Sequence, residues 1–475
     1  MSEEQTAALS RRRFVTTTAA AAAAATILPR HVLGGPGFVA PSDKVNVAII
    51  GVGGQGRTNA RSLFQQDDCQ VIAIADPCEE WDMSPYYYGG KAGRGPVREE
   101  IEKTYSAKTP NFKCAVYEDF RKMLEKEKAI DAVLIATPDH LHTYVSILSM
   151  KAGKHVYCEK PLTHDIWEAR LVAQVARETG VATQMGNHGR SSEGHRQAAE
   201  WIWDGAIGAI REVHAWGAAG GFAHGKGRPV DTPDVPAGLD WDLWLGPVEP
   251  RPYHPAYAPF NWRGWWAFGG GGMPDVAPHH LDPAFDALAL DTPETIEATA
   301  PDSDPEVCPP GVLVTYRFGS RGSQGPVSVY WYDGGLRPPS PLGVDPDDPR
   351  QRIGEGGDGI YFVGEKGIIT CGGWSGMPRL LPLELHREYK RPPKTLPRVE
   401  GHHADWLQAC KGGPPACSNF DYAARLTEFV LLGNVALRTQ KQLKWYAPNM
   451  KATNAPEADQ YLRGKPYRKG WELPV

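Results

Sequence analysis

The feature that most constrains the fold of this chain is a short apolar run that ends in a glycine-rich turn. Residues 45–50 have the composition of a buried parallel strand, and the glycine-rich residues 51–56 follow them directly. In such a turn Gly51 permits a tight bend, Gly53 lets the backbone approach a phosphate, and Gly56 allows the next helix to pack closely. The pattern predicts a doubly wound α/β sheet with a phosphate-binding helix N-terminus.

Strand-like and helix-like segments continue to alternate over residues 44–187. Apolar runs predict further strands at residues 71–76, 132–137, 155–161 and 181–186, and helical spacing predicts helices at residues 56–64, 117–126 and 164–179. Residues 84–111 are rich in Tyr, Gly, Arg and Pro, so we expect an excursion over the surface. The alternation predicts an N-terminal Rossmann domain, a doubly wound parallel sheet, over residues 44–187.

The sequence changes character beyond residue 205. Residues 217–275 contain many Gly, Pro, Trp and His residues with little periodicity, and strand-like runs follow at 311–317, 326–332 and 359–363. A long helix is predicted at residues 420–438. These patterns predict a C-terminal α+β domain over residues 188–475, with a large, mostly antiparallel open sheet and helices on one side.

Asp76 indicates which dinucleotide the first domain would bind. It ends the second predicted strand, where a carboxylate accepts hydrogen bonds from ribose hydroxyls and repels a ribose phosphate. The sequence therefore favours NAD over NADP, and a glycine turn without any ligand is the simpler alternative. The predicted cofactor-binding residues are Gly51, Gly53, Gly54, Gln55, Gly56, Asp76, Thr137, Pro138, His140, Glu159 and Lys160.

Three side chains are candidates for acid–base chemistry beside the cofactor. Lys160 follows a predicted strand, and its ammonium could hydrogen-bond a reacting hydroxyl or stabilise an alkoxide. On one helical turn Asp275 and His279 would share a face and could hydrogen-bond, which would raise the basicity of the imidazole. Pro278 fits a first turn, so this helix could start near Val276. A His that accepts a hydroxyl proton suits alcohol oxidation, whereas a solvated lysine and an ordinary helix pair are the simpler interpretations.

A second group of side chains could face a substrate. His280 adjoins His279 and is a second candidate base. The predicted substrate-facing residues are His188, Arg190, Trp262, Arg263 and His280.

Together these motifs resemble the glucose–fructose oxidoreductase/inositol dehydrogenase (Gfo/Idh/MocA) family. The resemblance is carried by residues 51–56, 136–142, 158–161 and 269–282, and residues 241–247, 261–266 and 467–471 extend it to the exported branch of the family. It implies that Lys160, Asp275 and His279 are the catalytic residues and that Pro161 follows a cis peptide bond. It also implies an enzyme acting on a sugar or cyclitol, and a homo-oligomer formed through the later sheet.

Residues 1–43 are predicted to be an export signal and linker. Arg11, Arg12 and Arg13 precede an alanine-rich apolar run at residues 15–28, which resembles a twin-arginine signal. A spanning helix needs about 20 strongly apolar residues, so export is favoured over an anchor and no stable membrane span is expected after processing. The twin-arginine machinery would deliver the folded protein to the periplasm, where soluble NAD is not expected. The cofactor would therefore be bound before export and regenerated in place.

Composition and cysteine spacing argue against nucleic-acid binding and metal binding. A net charge of −5 gives no basic surface for nucleic acid, and the eight cysteines show no metal-ligand spacing, so no metal is predicted. Two redox-neutral cycles stay open, namely hydride transfer between two sugars and glycoside hydrolysis by transient oxidation and elimination. The sequence is also compatible with a non-catalytic exported sugar-binding protein on the same scaffold and with a cytoplasmic dehydrogenase whose signal is vestigial.

Overall fold

Two β-sheets organise residues 43–217, 222, 226–301, 304–322 and 324–475, which are the residues described by this computed structural model. The strands in these ranges are β1 Val45–Ile50, β2 Cys69–Ala75, β3 Trp81–Asp82, β4 Lys91–Ala92, β5 Ala115–Tyr117, β6 Ala132–Ile135, β7 His155–Cys158, β8 Thr183–Met185, β9 Ile210–Trp216, β10 Thr295–Thr299, β11 Leu313–Phe318, β12 Val327–Tyr332, β13 Gly359–Gly364, β14 Ile368–Cys371, β15 Arg379–Leu381, β16 Leu443–Tyr446 and β17 Lys451–Ala452. The predicted signal segment lies outside the described residues.

The first sheet is the predicted doubly wound parallel sheet. Its six strands run in the order β5-β2-β1-β6-β7-β8, and every recorded pairing is parallel. The strand order reverses between β1 and β6, and ligands bind such sheets at the carboxyl ends of the strands beside this reversal. The glycine turn after β1 and the residues after β6 therefore meet at the edge where a binding site is expected.

The second sheet is mixed and mostly antiparallel, as predicted. Its nine strands run in the order β15-β14-β13-β9-β12-β11-β10-β16-β17, and only the recorded β9–β12 pairing among the described strands is parallel. A long helix at Phe420–Thr439, buried along most of its length, packs against β10 and against the first sheet's helix at Ile166–Thr179. This helix joins the two sheets through a continuous apolar core.

Helices cover both sheets. In chain order they are α1 Gly54–Leu63, α2 Arg94–Ser106, α3 Phe120–Lys126, α4 Asp139–Lys151, α5 Ile166–Thr179, α6 Glu193–Trp203, α7 Trp241–Leu245, α8 Gly272–His280, α9 Asp282–Ala287, α10 Leu383–Glu388, α11 His402–Cys410, α12 Phe420–Thr439 and α13 Asp459–Leu462. No helix in the described ranges has the length and apolar character needed to cross a membrane.

The segment at residues 84–111, predicted as an excursion over the surface, contains a strand and a helix that were not predicted. Strands β3 and β4 pair as a hairpin, and helix α2 follows it. Val97 and Ile101 are buried one turn apart on α2, and Pro96 falls in its first turn, where proline is tolerated. This helix was not predicted from the sequence because it has only two buried apolar residues and Gly and Pro residues lie around them.

The helix predicted at residues 117–126 begins three residues later, at Phe120. The Asp119 side chain accepts a hydrogen bond from the Arg121 backbone N–H and caps the helix, whereas Tyr117 ends strand β5. An aspartate at this position satisfies a backbone donor that the first helical turn leaves unpaired. The cap therefore sets the boundary.

The closing residues of the chain pack onto helices of the first sheet. The Gly464 N–H donates to the Asp165 carboxylate at 2.7 Å, and the Tyr467 hydroxyl donates to Glu168 on α5. Trp471 is buried against Tyr144 of α4, with ring centroids 5.0 Å apart. This C-terminal segment therefore fastens α4 and α5 to the rest of the protein.

Candidate functional site

A cavity of about 690 Å³ opens at the carboxyl ends of β1, β6 and β7. The glycine turn forms one wall, and helix α8 with the loop after β14 forms another. The predicted residues that line it are Gly51, Gly53, Gly54, Gln55, Asp76, Thr137, Pro138, Glu159, Lys160, His188, Trp262, Arg263, Asp275 and His279. Both sheets thus contribute candidate residues to one site, although no single sequence motif spans it.

The glycine turn is open at Gly53, where a ligand could lie, and closely packed against the protein at Gly56. A Cβ built at Gly53 meets no atom of the described residues within 4 Å. A Cβ at Gly56 would lie 1.9 Å from the Gly51 carbonyl oxygen, so this glycine allows α1 to pack against the turn, as predicted. Since Gly53 caps α1 without any side-chain hydrogen bond, the first N–H groups of the helix suit a phosphate.

Asp76 is held rigidly at the end of β2. Its Oδ2 accepts from the Val52 N–H at 2.8 Å and its Oδ1 accepts from the Cys78 N–H at 2.9 Å. A carboxylate has about four acceptor sites, so each oxygen can also accept a hydrogen bond from a ligand hydroxyl. Burial raises the pKa of Asp76 to about 6, and the carboxylate is therefore ionised at neutral pH. The cradle at Gly53 together with this carboxylate fits a dinucleotide with a free ribose.

Glu159 connects α1, the helix that follows the glycine turn, to the end of β7. Its Oε1 accepts from Asn59 Nδ2 at 2.8 Å and from Gln55 Nε2 at 3.2 Å, and burial raises its pKa. Gly186 packs closely against it, because a Cβ there would lie 2.5 Å from Glu159 Oε2. Glu159 thus lines the cavity and also fixes α1 relative to the strand that precedes Lys160.

Lys160, Asp275 and Arg263 form a buried charge cluster. The Lys160 ammonium donates to Asp275 Oδ1 and to the Asp275 carbonyl, each at 2.7 Å, and Arg263 Nε lies 3.3 Å from the same Oδ1. Burial disfavours the ammonium, but the Asp275 carboxylate more than offsets this and raises the pKa of Lys160. An ammonium has three donors, so one remains for a substrate oxygen. The predicted cis bond between Lys160 and Pro161 is confirmed.

The predicted hydrogen bond between Asp275 and His279 is wrong. Asp275 turns to the two cations, and His279 Nδ1 has no hydrogen-bond partner among the described residues. Two positive groups hold a carboxylate more strongly than a neutral imidazole does, and they keep the pKa of Asp275 low despite its burial. Helix α8 begins at Gly272 instead of near Val276 and accommodates Pro278 in its interior.

His279 is a neutral imidazole at the wall of the cavity. The residue is 5% exposed, and burial, with further contributions from His188 and Lys160, lowers its pKa well below 6.5. The His188 ring lies beside it, with centroids 5.0 Å apart, and burial and Lys160 lower the pKa of His188 as well. Two neutral bases therefore face one cavity with a cationic lysine.

His140 and His280, both predicted to be site residues, lie outside the cavity lining. The His140 ring packs between Trp244 and Phe268, and its Nε2 donates to the Trp244 carbonyl at 3.0 Å. His280 Nδ1 donates to the Trp216 carbonyl at 2.9 Å, and the side chain is buried. Each ring satisfies a backbone carbonyl, which fixes it away from a ligand.

Arg190, another predicted substrate contact, belongs to a structural network. Its Nη1 lies 2.7 Å from the Asp286 carboxylate and 3.0 Å from the Tyr422 hydroxyl. A buried guanidinium needs a countercharge, and Asp286 and Asp282 supply it within the protein. The prediction of a substrate-facing Arg190 is therefore wrong.

Asp139 is a functional candidate that lies in the motif at residues 136–142 but was not among the predicted site residues. It follows Pro138 at the start of α4, lines the cavity and is buried. Burial, and then the nearby Asp275 carboxylate, raise the pKa of Asp139 well above its ordinary value. Its place directly after a buried parallel strand was the available signal.

The β3–β4 hairpin adds Tyr87 and Tyr88 to the site, and neither was among the predicted site residues. The Tyr88 ring lies over Gly54, where an added Cβ would be 2.1 Å from the ring, and its hydroxyl donates to Gln55 at 3.3 Å. Arg57 of α1 donates to the carbonyls of Tyr88, Gly89 and Lys91 at 2.5–2.6 Å. Helix α1 therefore holds the β3–β4 hairpin in place over the N-terminus of α1.

Two family models match the chain. One is described as the NAD-binding Rossmann fold of an oxidoreductase family and matches residues 96–187. The other, described as the C-terminal alpha/beta domain of an oxidoreductase family, matches residues 217–324. The two matches fall in the same order as the two sheets.

Curated relatives cover part of the chain. 1,5-Anhydro-D-fructose reductase from Ensifer adhaerens is 32% identical over 114 residues, covering 24% of this chain and 34% of that protein. 2,7-Anhydro-N-acetylneuraminate hydratase from Mediterraneibacter gnavus is 26% identical over 171 residues, covering 36% of this chain and 39% of that protein. The chain thus matches less than half the length of these relatives.

A solved structure shares the fold over most of the chain. The WlbA dehydrogenase from Bordetella pertussis, in complex with NADH and UDP-GlcNAcA, superposes with a TM-score of 0.54 and 18% identity. The superposition covers 85% of this chain and 99% of that one. At this identity the likeness establishes the arrangement of the two sheets.

Proposed function

Because the chain belongs to the Gfo/Idh/MocA oxidoreductase family, whose first domain is an NAD-binding Rossmann fold, we propose that it is an NAD-dependent enzyme acting on a hydroxyl of a sugar, cyclitol or glycoside. One observation carries the proposal. Lys160, with a spare ammonium donor, and His279, a neutral base, line the same cavity as the glycine turn and Asp76. That is the combination that removing a hydride and a proton from a carbinol requires.

Each residue has a distinct role in the proposed reaction. His279 accepts the hydroxyl proton, and Lys160 donates a hydrogen bond to the oxygen as it becomes a carbonyl. Bound NAD supplies the acceptor for the hydride that leaves the carbon. Asp275, together with Arg263, positions the Lys160 ammonium, which replaces the predicted role of orienting His279.

We propose that the enzyme is exported by the twin-arginine machinery with its NAD bound and works in the periplasm as a homo-oligomer. The twin-arginine pattern at residues 11–13 and the apolar run at 15–28 support export. A resident cofactor favours a redox-neutral cycle in which hydride passes from one sugar to another. The homo-oligomer is what the family resemblance implies, with the second sheet as the interface.

The decisive experiment is to measure the cofactor of protein purified without added nucleotide. We expect intact-complex mass spectrometry and absorbance to find NAD at close to one per chain, and hydride transfer in a screen of free sugars and glycosides. Empty protein that binds NAD only weakly would overturn the redox-neutral part of the proposal. NAD-loaded protein that turns over no carbohydrate would overturn the assigned substrate class.

A second candidate reaction is cleavage or hydration of a glycoside by transient oxidation and elimination. This cycle needs another base beside the oxidised carbon, and His188 lies in the cavity with its ring centroid 5.0 Å from that of His279. The hydratase relative from Mediterraneibacter gnavus also favours this chemistry. Deuterium exchange from solvent into the ring carbon, lost in His188→Gln while NAD reduction survives, would distinguish elimination from simple hydride transfer.

Two glycine variants separate cofactor binding from folding. We expect Gly53→Ala to weaken NAD binding by about tenfold or more with little loss of stability, because its Cβ would enter the open cradle. Gly56→Ala should instead lower the free energy of unfolding by about 1–3 kcal/mol, because its Cβ meets the Gly51 carbonyl. Calorimetric titration with NAD and chemical denaturation measure the two effects. Equal behaviour of the two variants would contradict this division.

A further inference from the structure

The loop after β14 presents an indole ring to the cavity from an unusual backbone. Trp374 and Ser375 have φ angles of 53° and 58°, in the left-handed region that residues other than glycine rarely adopt. Such a conformation persists only where the surrounding structure enforces it. Trp374 is nevertheless a large side chain at a position where glycine would be less strained.

Close packing against residues 189–194 enforces this loop conformation. A Cβ at Gly189 would lie 2.7 Å from the Trp374 carbonyl oxygen, and a Cβ at Gly194 would lie 2.3 Å from the Ser375 carbonyl oxygen. The Ser192 hydroxyl also donates to that Ser375 carbonyl at 3.0 Å. The chain therefore uses two glycines and a hydrogen bond to hold the tryptophan in one place.

The indole is exposed inside the cavity, next to the proposed base. Trp374 is 41% exposed and lines the cavity, with its ring centroid 5.9 Å from that of His279. Other tryptophans of the chain, such as Trp331 and Trp406, are fully buried. Asp358 also lines the cavity, and a Cβ built at Gly373, the residue before the tryptophan, would lie 2.9 Å from the Asp358 Cβ.

We propose that Trp374 is the aromatic platform of a second sugar-binding subsite, so that the preferred substrate carries another ring beyond the one that reacts. Pyranose rings have apolar C–H faces that gain free energy by stacking on an indole. The proposal rests on the proposed carbohydrate function and names its substrate class as glycosides or disaccharides. Trp374 contributes binding, whereas Lys160 and His279 carry the chemistry.

The test compares substrates of one and two rings in matched variants. Trp374→Gly removes the indole and suits the left-handed backbone, Trp374→Phe keeps an aromatic face, and Trp203→Ala removes a tryptophan that is 50% exposed outside the cavity lining. We expect Trp374→Gly to lower kcat/KM for a disaccharide by about tenfold, through KM, and to change the value for the matching monosaccharide by less than about twofold. Trp374→Phe should recover most of the loss, and Trp203→Ala should resemble the parent.

Several results would overturn the subsite. They are an equal loss on both substrates, no loss on either, or no recovery with Trp374→Phe. Calorimetric titration of the NAD-loaded protein with the disaccharide separates this proposal from the proposed reaction. If the parent binds the disaccharide without turnover and Trp374→Gly weakens that binding, the subsite stands and the reaction falls. If the parent binds neither sugar, both fall.

Discussion

Lys160→Met should lower kcat by about 10³-fold or more while the protein still folds and retains NAD. The Lys160 ammonium places two of its donors on Asp275 and keeps one for the substrate oxygen. Methionine has a similar length and no charge, so it removes the donor without opening a large space. Steady-state turnover measures the loss of kcat, and the NAD content of the purified variant measures whether the cofactor is retained.

The control for this variant is another lysine of the first domain. Lys151 lies at the end of α4 with its ammonium 3.8 Å from Glu178, on the surface and away from the cavity. Lys151→Met should keep parental activity. A Lys160→Met enzyme that turns over within about tenfold of the parent would remove Lys160 from the chemistry. A variant that loses NAD along with activity would instead assign the lysine to cofactor binding.

His279→Gln should lower kcat by about 10²–10⁴-fold, because the substrate hydroxyl loses its proton acceptor. The lowered pKa of His279 means that protonation, and hence loss of the base, occurs only below pH 6.5. The parent enzyme should therefore show no activity loss due to this residue between pH 6.5 and pH 8. A pH–rate profile of kcat tests this, with His386→Gln on the surface helix α10 as the matched control.

An inflection near pH 6.5–7 that disappears in His279→Gln would contradict the lowered pKa that burial gives His279. Retention of full activity in His279→Gln would transfer the role to His188, the other neutral imidazole that lines the cavity. The double variant would then be inactive. Each outcome assigns the proton to one of two rings whose centroids lie 5.0 Å apart.

The first sheet was predictable because its signals are local. The strand at Val45–Ile50 and the long helix near Phe420–Thr439 each combine an apolar pattern with a clear boundary, and both are confirmed. Gly180 ends α5 in a left-handed conformation, as a glycine after a helical pattern indicates. Helix α2 was missed because only Val97 and Ile101 mark its buried face.

The sequence predicted which catalytic residues line the site better than it predicted the hydrogen bonds between them. The positions of Lys160, Asp275 and His279 followed from strand ends and motif resemblance, and the structure brings all three to one cavity. Sequence spacing suggested that Asp275 pairs with the histidine one turn away. Its actual partners, Lys160 and Arg263, come from other parts of the chain, and only the tertiary fold reveals that competition.

The C-terminal segment has a consequence for the order of events during protein synthesis. Gly464 and Tyr467 donate hydrogen bonds to Asp165 and Glu168, and each donor is translated 299 residues after its partner. Until Trp471 has also been translated, Tyr144 of α4 lacks the indole ring that packs against it. A nascent chain can form the first sheet early, but completing its helical layer has to wait until residues 464–471 have been synthesised.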